Sequence, residues 1–180
     1  MRTRTILCTG TFALVCAGFL VPPSIKAADT DSPQVTKLLS EAKTQAYQIK
    51  EDAIFMESFS YVSVSREAHA VAINTIIEHI NALGKKVGEL KAVEGEASPW
   101  QRAVIERINP YLEEMAGYSA AVVEHITRAP QHNFAEYKDY LEANADYAGD
   151  LAAMINDFVS YGNAKNRVEN LGAKLEIPQE

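Results

Sequence analysis

Few side chains in this sequence could bind a metal ion. Three histidines and one methionine fall close to the predicted helix ends: Met56, His69, His125 and His132. Imidazole nitrogens and thioether sulfur are ligands that copper and zinc accept. These residues therefore support the hypothesis of a copper or zinc site at one end of a helical bundle. The alternative is that the histidines are ordinary polar residues and that Met56 fills the core.

The hypothesis depends on how the chain turns back on itself. If the second and third helices run antiparallel, residues equidistant from the turn between them face each other, and this pairs His69 with His125. Reversal of the chain after the first helix brings Met56 to the same end. The turn before the fourth helix brings His132 and Tyr137 there as well.

A second candidate site is an aromatic stripe on the fourth helix. Tyr140, Tyr147, Met154 and Tyr161 are spaced by seven residues, so they share one edge of that helix. Such a stripe is typical of the flank of a core. If exposed, it would form a groove for a partner helix or an apolar ligand, because aromatic rings give large contact areas. Asn144 beside it is interpreted as a half-exposed polar residue.

No catalytic motif accompanies these residues. The sequence has no Gly-rich phosphate loop, no Gly-x-Ser-x-Gly turn and no His-Glu-x-x-His pair. A ferritin-like di-metal site needs Glu three residues before His on two helices, and none of the four histidines has one. A b-type haem bundle needs a histidine on the fourth helix, which has none. We expect no cofactor and no enzymatic activity.

The charge balance and the cysteine positions exclude further classes of partner and site. The chain has 180 residues and a formal net charge of −7, and the 153 residues after position 27 hold 14 Lys and Arg against 24 Asp and Glu. Such an acidic chain lacks the basic surface that nucleic acid or an anionic membrane requires. Both cysteines, Cys8 and Cys16, lie before position 27, so the remainder has no disulfide, thiolate metal site or covalent haem.

The N-terminal segment has the features of a secretory signal peptide. Arg2 and Arg4 precede an apolar run at 6–21, and small residues follow at Ala27 and Ala28. We predict a signal peptide at 1–27, cleavage after Ala27, and a periplasmic or secreted protein with no membrane span once it is removed. The alternative is an uncleaved anchor, although 16 apolar residues are short of the ~20 that span a bilayer.

Helical periodicity dominates the remaining chain, 28–180, and predicts helices at roughly 33–58, 65–93, 99–128 and 134–171. Ser32-Pro33 and Ser98-Pro99-Trp100-Gln101 provide N-cap signals, the latter with Gln101 closing a capping box. Pro110 predicts a kink, not a break, in the third helix. The second and third helices carry the clearest apolar seams: Ile73, Ile76, Ile80, Leu83, Val87 and Leu90 in one, and Ile105, Ile108, Leu112, Met115, Ser119, Val122 and Ile126 in the other.

Four amphipathic helices with short connections favour one domain, an all-α antiparallel up-down four-helix bundle. Three helices with a packed hairpin are the alternative.

Four segments between residues 65 and 162 are distinctive in combination: HINALGK at 79–85, SPWQ at 98–101, INPYL at 108–112 and YKDY at 137–140. Through them the chain resembles a group of secreted bacterial all-helical proteins with no established activity. The resemblance implies export and an all-helical fold, and it assigns no site.

Two functions are therefore weighed. The first is an exported non-enzymatic bundle that acts by contact with a protein partner or as an envelope scaffold. The second is a small-ligand or metal carrier that uses the bundle end near His69 and His125. A carrier requires a pocket or converging donor side chains, whereas a contact protein requires a filled core and an exposed apolar strip.

Overall fold

The computed structural model describes residues 30–128 and 134–176. Within these residues the chain forms helices and connections but no strand. The predicted signal peptide at 1–27 and the candidate ligand His132 lie outside the described residues. None of the described helices combines the length and the apolarity needed to cross a membrane.

Four long helices follow one another: α1 (Pro33–Glu57), α2 (Arg66–Ala92), α3 (Pro99–Arg128) and α4 (Phe134–Lys174). A short 3-10 helix, Ser58–Tyr61, leads from α1 toward α2. The bounds of α1, α2 and α3 lie within one residue of the predicted 33–58, 65–93 and 99–128. Helix α4 continues three residues beyond the predicted end at 171.

The helix starts follow from local capping. The Ser32 hydroxyl accepts the Val35 amide hydrogen at 3.4 Å, and Pro33 occupies the first turn, where its missing N–H costs nothing. The Ser65 hydroxyl accepts the Ala68 amide hydrogen at 3.2 Å. Helix α3 continues through Pro110 without interruption.

The predicted seams form the core. In α2 all six predicted positions are buried, and in α3 all except Ile126 are buried. Helix α1 packs against α2 and α4, and α3 packs against the same two helices, so each helix has two neighbours. This arrangement buries one face of every helix around a shared core.

One polar residue departs from the prediction. Asn144 was expected to be half-exposed, but it is buried at 2% exposure, and its amide donates to the Ser119 hydroxyl at 3.4 Å. The prediction was wrong because it considered each helix alone. The two polar residues occupy facing positions on α3 and α4, so a small hydroxyl on one helix accommodates the amide of the other.

Candidate functional site

A pocket of about 300 Å³ lies at one end of the helices. Phe59 from the 3-10 helix, His69 near the start of α2, His125 near the end of α3 and Tyr137 in the first turn of α4 all line it. We call this region, with these four side chains, the histidine end. Four separate elements therefore contribute side chains to the site, and the fold brings together residues that lie apart in the sequence.

Aromatic contacts hold the four rings together. The Tyr137 hydroxyl lies 2.5 Å from His69 Nδ1. The His125 ring stacks on the Tyr137 ring with centroids 4.8 Å apart and planes at 26°. Phe59 meets the His69 ring edge-on, with centroids 5.1 Å apart. The sequence-based pairing of His69 with His125, with Tyr137 at the same end, therefore agrees with the observed positions.

Tyr137 is the most buried polar member of this group, with 6% of its surface exposed. Burial raises the pKa of Tyr137 from 10.0 to about 12, because the phenolate would lose its hydration. At neutral pH the phenol is therefore uncharged and retains its O–H, which can serve as a hydrogen-bond donor.

Arg66 supplies the fixed positive charge of the pocket lining. One of its guanidinium nitrogens donates to the Thr127 carbonyl at 3.3 Å, near the last turn of α3. Arg66 also lines a second groove, between α2 and α3, which shares Ile126 with the pocket. The residues that line the histidine-end pocket include no carboxylate.

The remaining lining is mostly apolar. Val62 and Val64 come from the connection between α1 and α2, and Ile126 comes from α3. Together with the Phe59 ring they give the pocket hydrophobic walls, while the histidines, Tyr137, Ser63 and Arg66 give it polar groups. Apolar walls with a few converging polar groups are typical of small-molecule sites.

The predicted metal ligands are only partly brought together. His69 and His125 line the same pocket, whereas Met56 is buried in the core and is absent from the pocket lining. Within residues 30–128 and 134–176, no group of three His, Cys, Asp or Glu side chains could hold a metal ion. Copper or zinc binding at this end remains a prediction that requires a further donor.

The aromatic stripe of α4 packs against rings from α3. Tyr118 stacks on Tyr147 with centroids 5.7 Å apart and lies 6.5 Å from Tyr140. Nearer the other end, Trp100 meets Tyr161 edge-on at 5.9 Å. Tyr140 and Tyr147 are half-buried, and Tyr161 is 56% exposed. The stripe therefore forms one side of a ladder of rings along the α3–α4 interface.

The opposite end of the molecule contains a hydrogen-bonded cluster that sequence reasoning found only in part. Gln101 is fully buried, and its side-chain oxygen accepts the amide hydrogens of Ser98 and Ser32, both at 3.0 Å. Its side-chain nitrogen donates to the Ser32 carbonyl at 3.0 Å and to the Thr36 hydroxyl at 2.9 Å. The bond from Ser98 is the predicted capping-box contact, whereas the bonds to α1 had no sequence signal.

A buried carboxylate extends this cluster. One Asp31 oxygen accepts the Trp100 indole hydrogen at 2.7 Å and pairs with the Lys165 ammonium at 3.0 Å. Burial alone would raise the pKa of Asp31, but its contacts with Ser98, Lys165 and Trp100 outweigh that effect and lower it. We call this region, with Gln101 and Asp31 at its centre, the glutamine end.

Comparison of the chain with protein families, with curated proteins and with solved structures found no match. The function is therefore inferred from the residues and geometry of the site itself.

Proposed function

We propose that the protein is an exported, antiparallel up-down four-helix bundle that carries a small molecule at its histidine end. The observation that carries this proposal is the pocket of about 300 Å³ on which His69, His125 and Tyr137 converge. It corresponds to the second of the two functions considered from sequence.

The order of contacts supports an antiparallel topology. Glu41 and Asp52 of α1 pair with Lys86 and His79 of α2, so positions rise along one helix as they fall along the other. The ring contacts between α3 and α4 follow the same rule, as in the pairs Trp100–Tyr161, Tyr111–Tyr147 and Tyr118–Tyr140. Residue numbers that rise along one helix and fall along its neighbour indicate antiparallel packing, which an up-down bundle requires at each interface between consecutive helices.

The N-terminal features described above support export. N-terminal sequencing of the protein from the cell envelope should return a chain that begins at Ala28 or within two residues of it. A mature protein that begins at Met1 would contradict cleavage, because the segment 1–27 would then be retained.

The chemistry of the pocket supports a small ligand over a structural gap, because a groove between α2 and α3 has a larger volume, about 600 Å³, but no aromatic side chain. Ligand sites generally enclose about 300–1,000 Å³ and combine apolar walls with a few polar groups. The interior between the two ends is filled by side chains such as Leu83, Ile108 and Leu151, all fully buried. The pocket is therefore a local feature of one end, where polar groups from several helices meet.

A neutral aromatic probe tests this function. Fluorine NMR should show that para-fluorobenzyl alcohol binds the mature protein at one site. Val64→Trp should abolish that binding, because Val64 lines the pocket and the indole would fill it. Val168→Trp is the matched control, since Val168 is 69% exposed on α4 and is not part of the lining. Equal binding to both variants would contradict the proposed site.

Contact with a protein partner is the second candidate function. The observation that favours it is a group of large exposed side chains near the histidine end: Phe55 at 62%, Tyr61 at 70%, Val62 at 60% and Val71 at 67%. Exposed apolar patches mark interaction surfaces. A photo-crosslinking residue at position 71 should trap a partner in producing cells, and the same residue at position 168 should not. Equal crosslinking at both positions would exclude a partner specific to this surface.

A further inference from the structure

We infer that the histidine-end pocket selects a small aromatic carboxylate. This inference deepens the proposed function and rests on it, because it names the chemical class of the ligand for the same pocket.

The sign of the charge at the pocket differs from that of the chain as a whole. The chain as a whole has a formal net charge of −7, which disfavours anions at long range. The pocket lining reverses this balance, since it contains the Arg66 guanidinium and no carboxylate. The Glu67 carboxylate interacts with Arg66 from the neighbouring groove, outside the pocket lining. Arg66 is therefore the one permanently charged side chain of the lining itself, and its sign favours an anionic ligand over a cationic one.

The donor geometry of Arg66 suits a carboxylate. Arg66 uses one guanidinium nitrogen on the Thr127 carbonyl, and a guanidinium has five N–H donors. The remaining donors form a planar fork that matches a carboxylate, which Arg binds in a bidentate manner. The Tyr137 hydroxyl also lines the pocket, but it lies 2.5 Å from His69 Nδ1, so the carboxylate is assigned to Arg66. The fork of Arg66 by itself can donate to both oxygens of one carboxylate.

The apolar part of the pocket is formed largely by aromatic rings. The Phe59 and Tyr137 rings stand beside the imidazoles of His69 and His125, so the pocket presents several ring faces and edges. Flat ligands gain offset-stacked and edge-to-face contacts on such walls. A volume of about 300 Å³ equals the share of about ten water molecules in the liquid, which suits a single aromatic ring with its acid group.

The test compares an acid with its neutral analogue. Fluorine NMR titrations of the mature protein should show that para-fluorobenzoate binds about 10- to 100-fold more tightly than para-fluorobenzyl alcohol, since hydrogen bonds to a charged group contribute about 1.5–3 kcal/mol. Arg66→Gln should bring the affinity for the acid down to that for the alcohol and leave alcohol binding unchanged. Arg66 is exposed, so the variant is expected to fold.

Arg102→Gln is the matched control. Arg102 also donates to a backbone carbonyl, that of Ala97 at 3.2 Å, but it lies at the glutamine end. This variant should retain the preference for the acid. Persistence of that preference in Arg66→Gln would overturn the assignment of the anion to Arg66.

The remaining outcomes separate this inference from the proposed function. Equal binding of the acid and the alcohol to the mature protein would overturn the selection of a carboxylate and leave a small-molecule carrier in place. Failure of both probes to bind would overturn the two proposals together.

Discussion

The two ends of this protein use polar residues in different ways. At the glutamine end, the buried Gln101 amide makes hydrogen bonds to the start of α1 and to the residue before α3. At the histidine end, the polar side chains of His69, His125 and Tyr137 surround a pocket. Both clusters contain internal contacts, since the Tyr137 hydroxyl lies 2.5 Å from His69 Nδ1 and the His125 ring stacks on Tyr137. The difference is that the polar groups of the histidine end also line a pocket, where they can bind a ligand. This difference supports the proposal that the histidine end binds a ligand, while the glutamine end stabilises the helix arrangement.

The largest expected effect is at Gln101. Gln101→Met retains the side-chain volume but leaves the amides of Ser32 and Ser98 without their acceptor in a fully buried site. Because each buried unsatisfied group costs about 1–3 kcal/mol, the free energy of unfolding should fall by about 3–5 kcal/mol. Urea unfolding measures this change. The exposed Gln48→Met is the control and should change stability by less than about 0.5 kcal/mol.

A small decrease in the free energy of unfolding of Gln101→Met would contradict the proposed difference between the two ends. If Gln101→Met and Gln48→Met had equal stability, the hydrogen-bonded cluster would contribute nothing, and the two ends would not differ as described.

The second prediction concerns alkaline pH at the histidine end. The folded-state pKa of Tyr137 is raised from 10.0 to about 12. The neutral phenol therefore contributes stability that is present below pH ~10 and is lost as the pH rises through the folded-state value. Since one pKa unit corresponds to about 1.4 kcal/mol, the loss should reach about 2–3 kcal/mol. The folded-state pKa values of Tyr140, Tyr147, Lys86 and Lys165 are also raised, so these groups contribute to the same loss. Urea unfolding across this pH range should therefore show a smaller loss in Tyr137→Phe than in the parent protein.

Tyr161→Phe provides the control for this pH dependence. Tyr161 is 56% exposed, so its replacement should leave the alkaline loss of stability intact. A Tyr137→Phe variant that lost stability with the same pH slope as the parent would show that another group is responsible.

The third prediction uses two glycines of α4. A Cβ at Gly162 would lie 2.5 Å and 2.6 Å from two atoms of the Trp100 ring, whereas a Cβ at Gly149 would meet nothing within 4 Å. Gly162→Ala must displace the indole that donates to Asp31, which should cost about 1–3 kcal/mol. Gly149→Ala should instead stabilise the helix by up to about 1 kcal/mol. Thermal unfolding compares the two, and equal effects would place Trp100 elsewhere.

The smallest expected change is at Asp31. Its folded-state pKa is lowered, so the carboxylate contributes stability that is present above its unfolded pKa and is lost as the pH falls through the folded-state value. Asp31→Asn should lower the free energy of unfolding by about 1–2 kcal/mol at pH 7, because the pair with Lys165 is lost. The difference from the parent should disappear in acid. The exposed Asp157→Asn should show no such pH-dependent difference.

Local sequence signals predicted the helices well. Ser32-Pro33 and Ser98-Pro99 mark the starts of α1 and α3, and the seven-residue seams identify the buried faces of α2 and α3. These features depend on neighbours within one helix, so a short stretch of sequence is enough to recognise them. The proximity of His69 and His125 could also be predicted, because it requires only that two consecutive helices of similar length pack side by side.

Contacts between distant segments were not predictable in the same way. Gln101 reaches Ser32 across 69 positions, and Lys165 reaches Asp31 across 134 positions. Nothing local distinguishes a glutamine that closes a capping box from one that also binds another helix. Asn144 was misjudged for the same reason, because its burial depends on Ser119 of a different helix. The pocket volume likewise depends on how four elements meet.

Amide-resolved NMR of the protein with added para-fluorobenzoate tests the proposed binding at the histidine end. Trp100 is the one tryptophan of the chain, and its indole N–H binds Asp31, so its resonance reports on the glutamine end. We expect the resonances of Phe59, His69 and Tyr137 to shift in a saturable manner while the Trp100 indole resonance stays in place. Saturable shifts at the Trp100 indole, with none at His69 or Tyr137, would contradict this proposal.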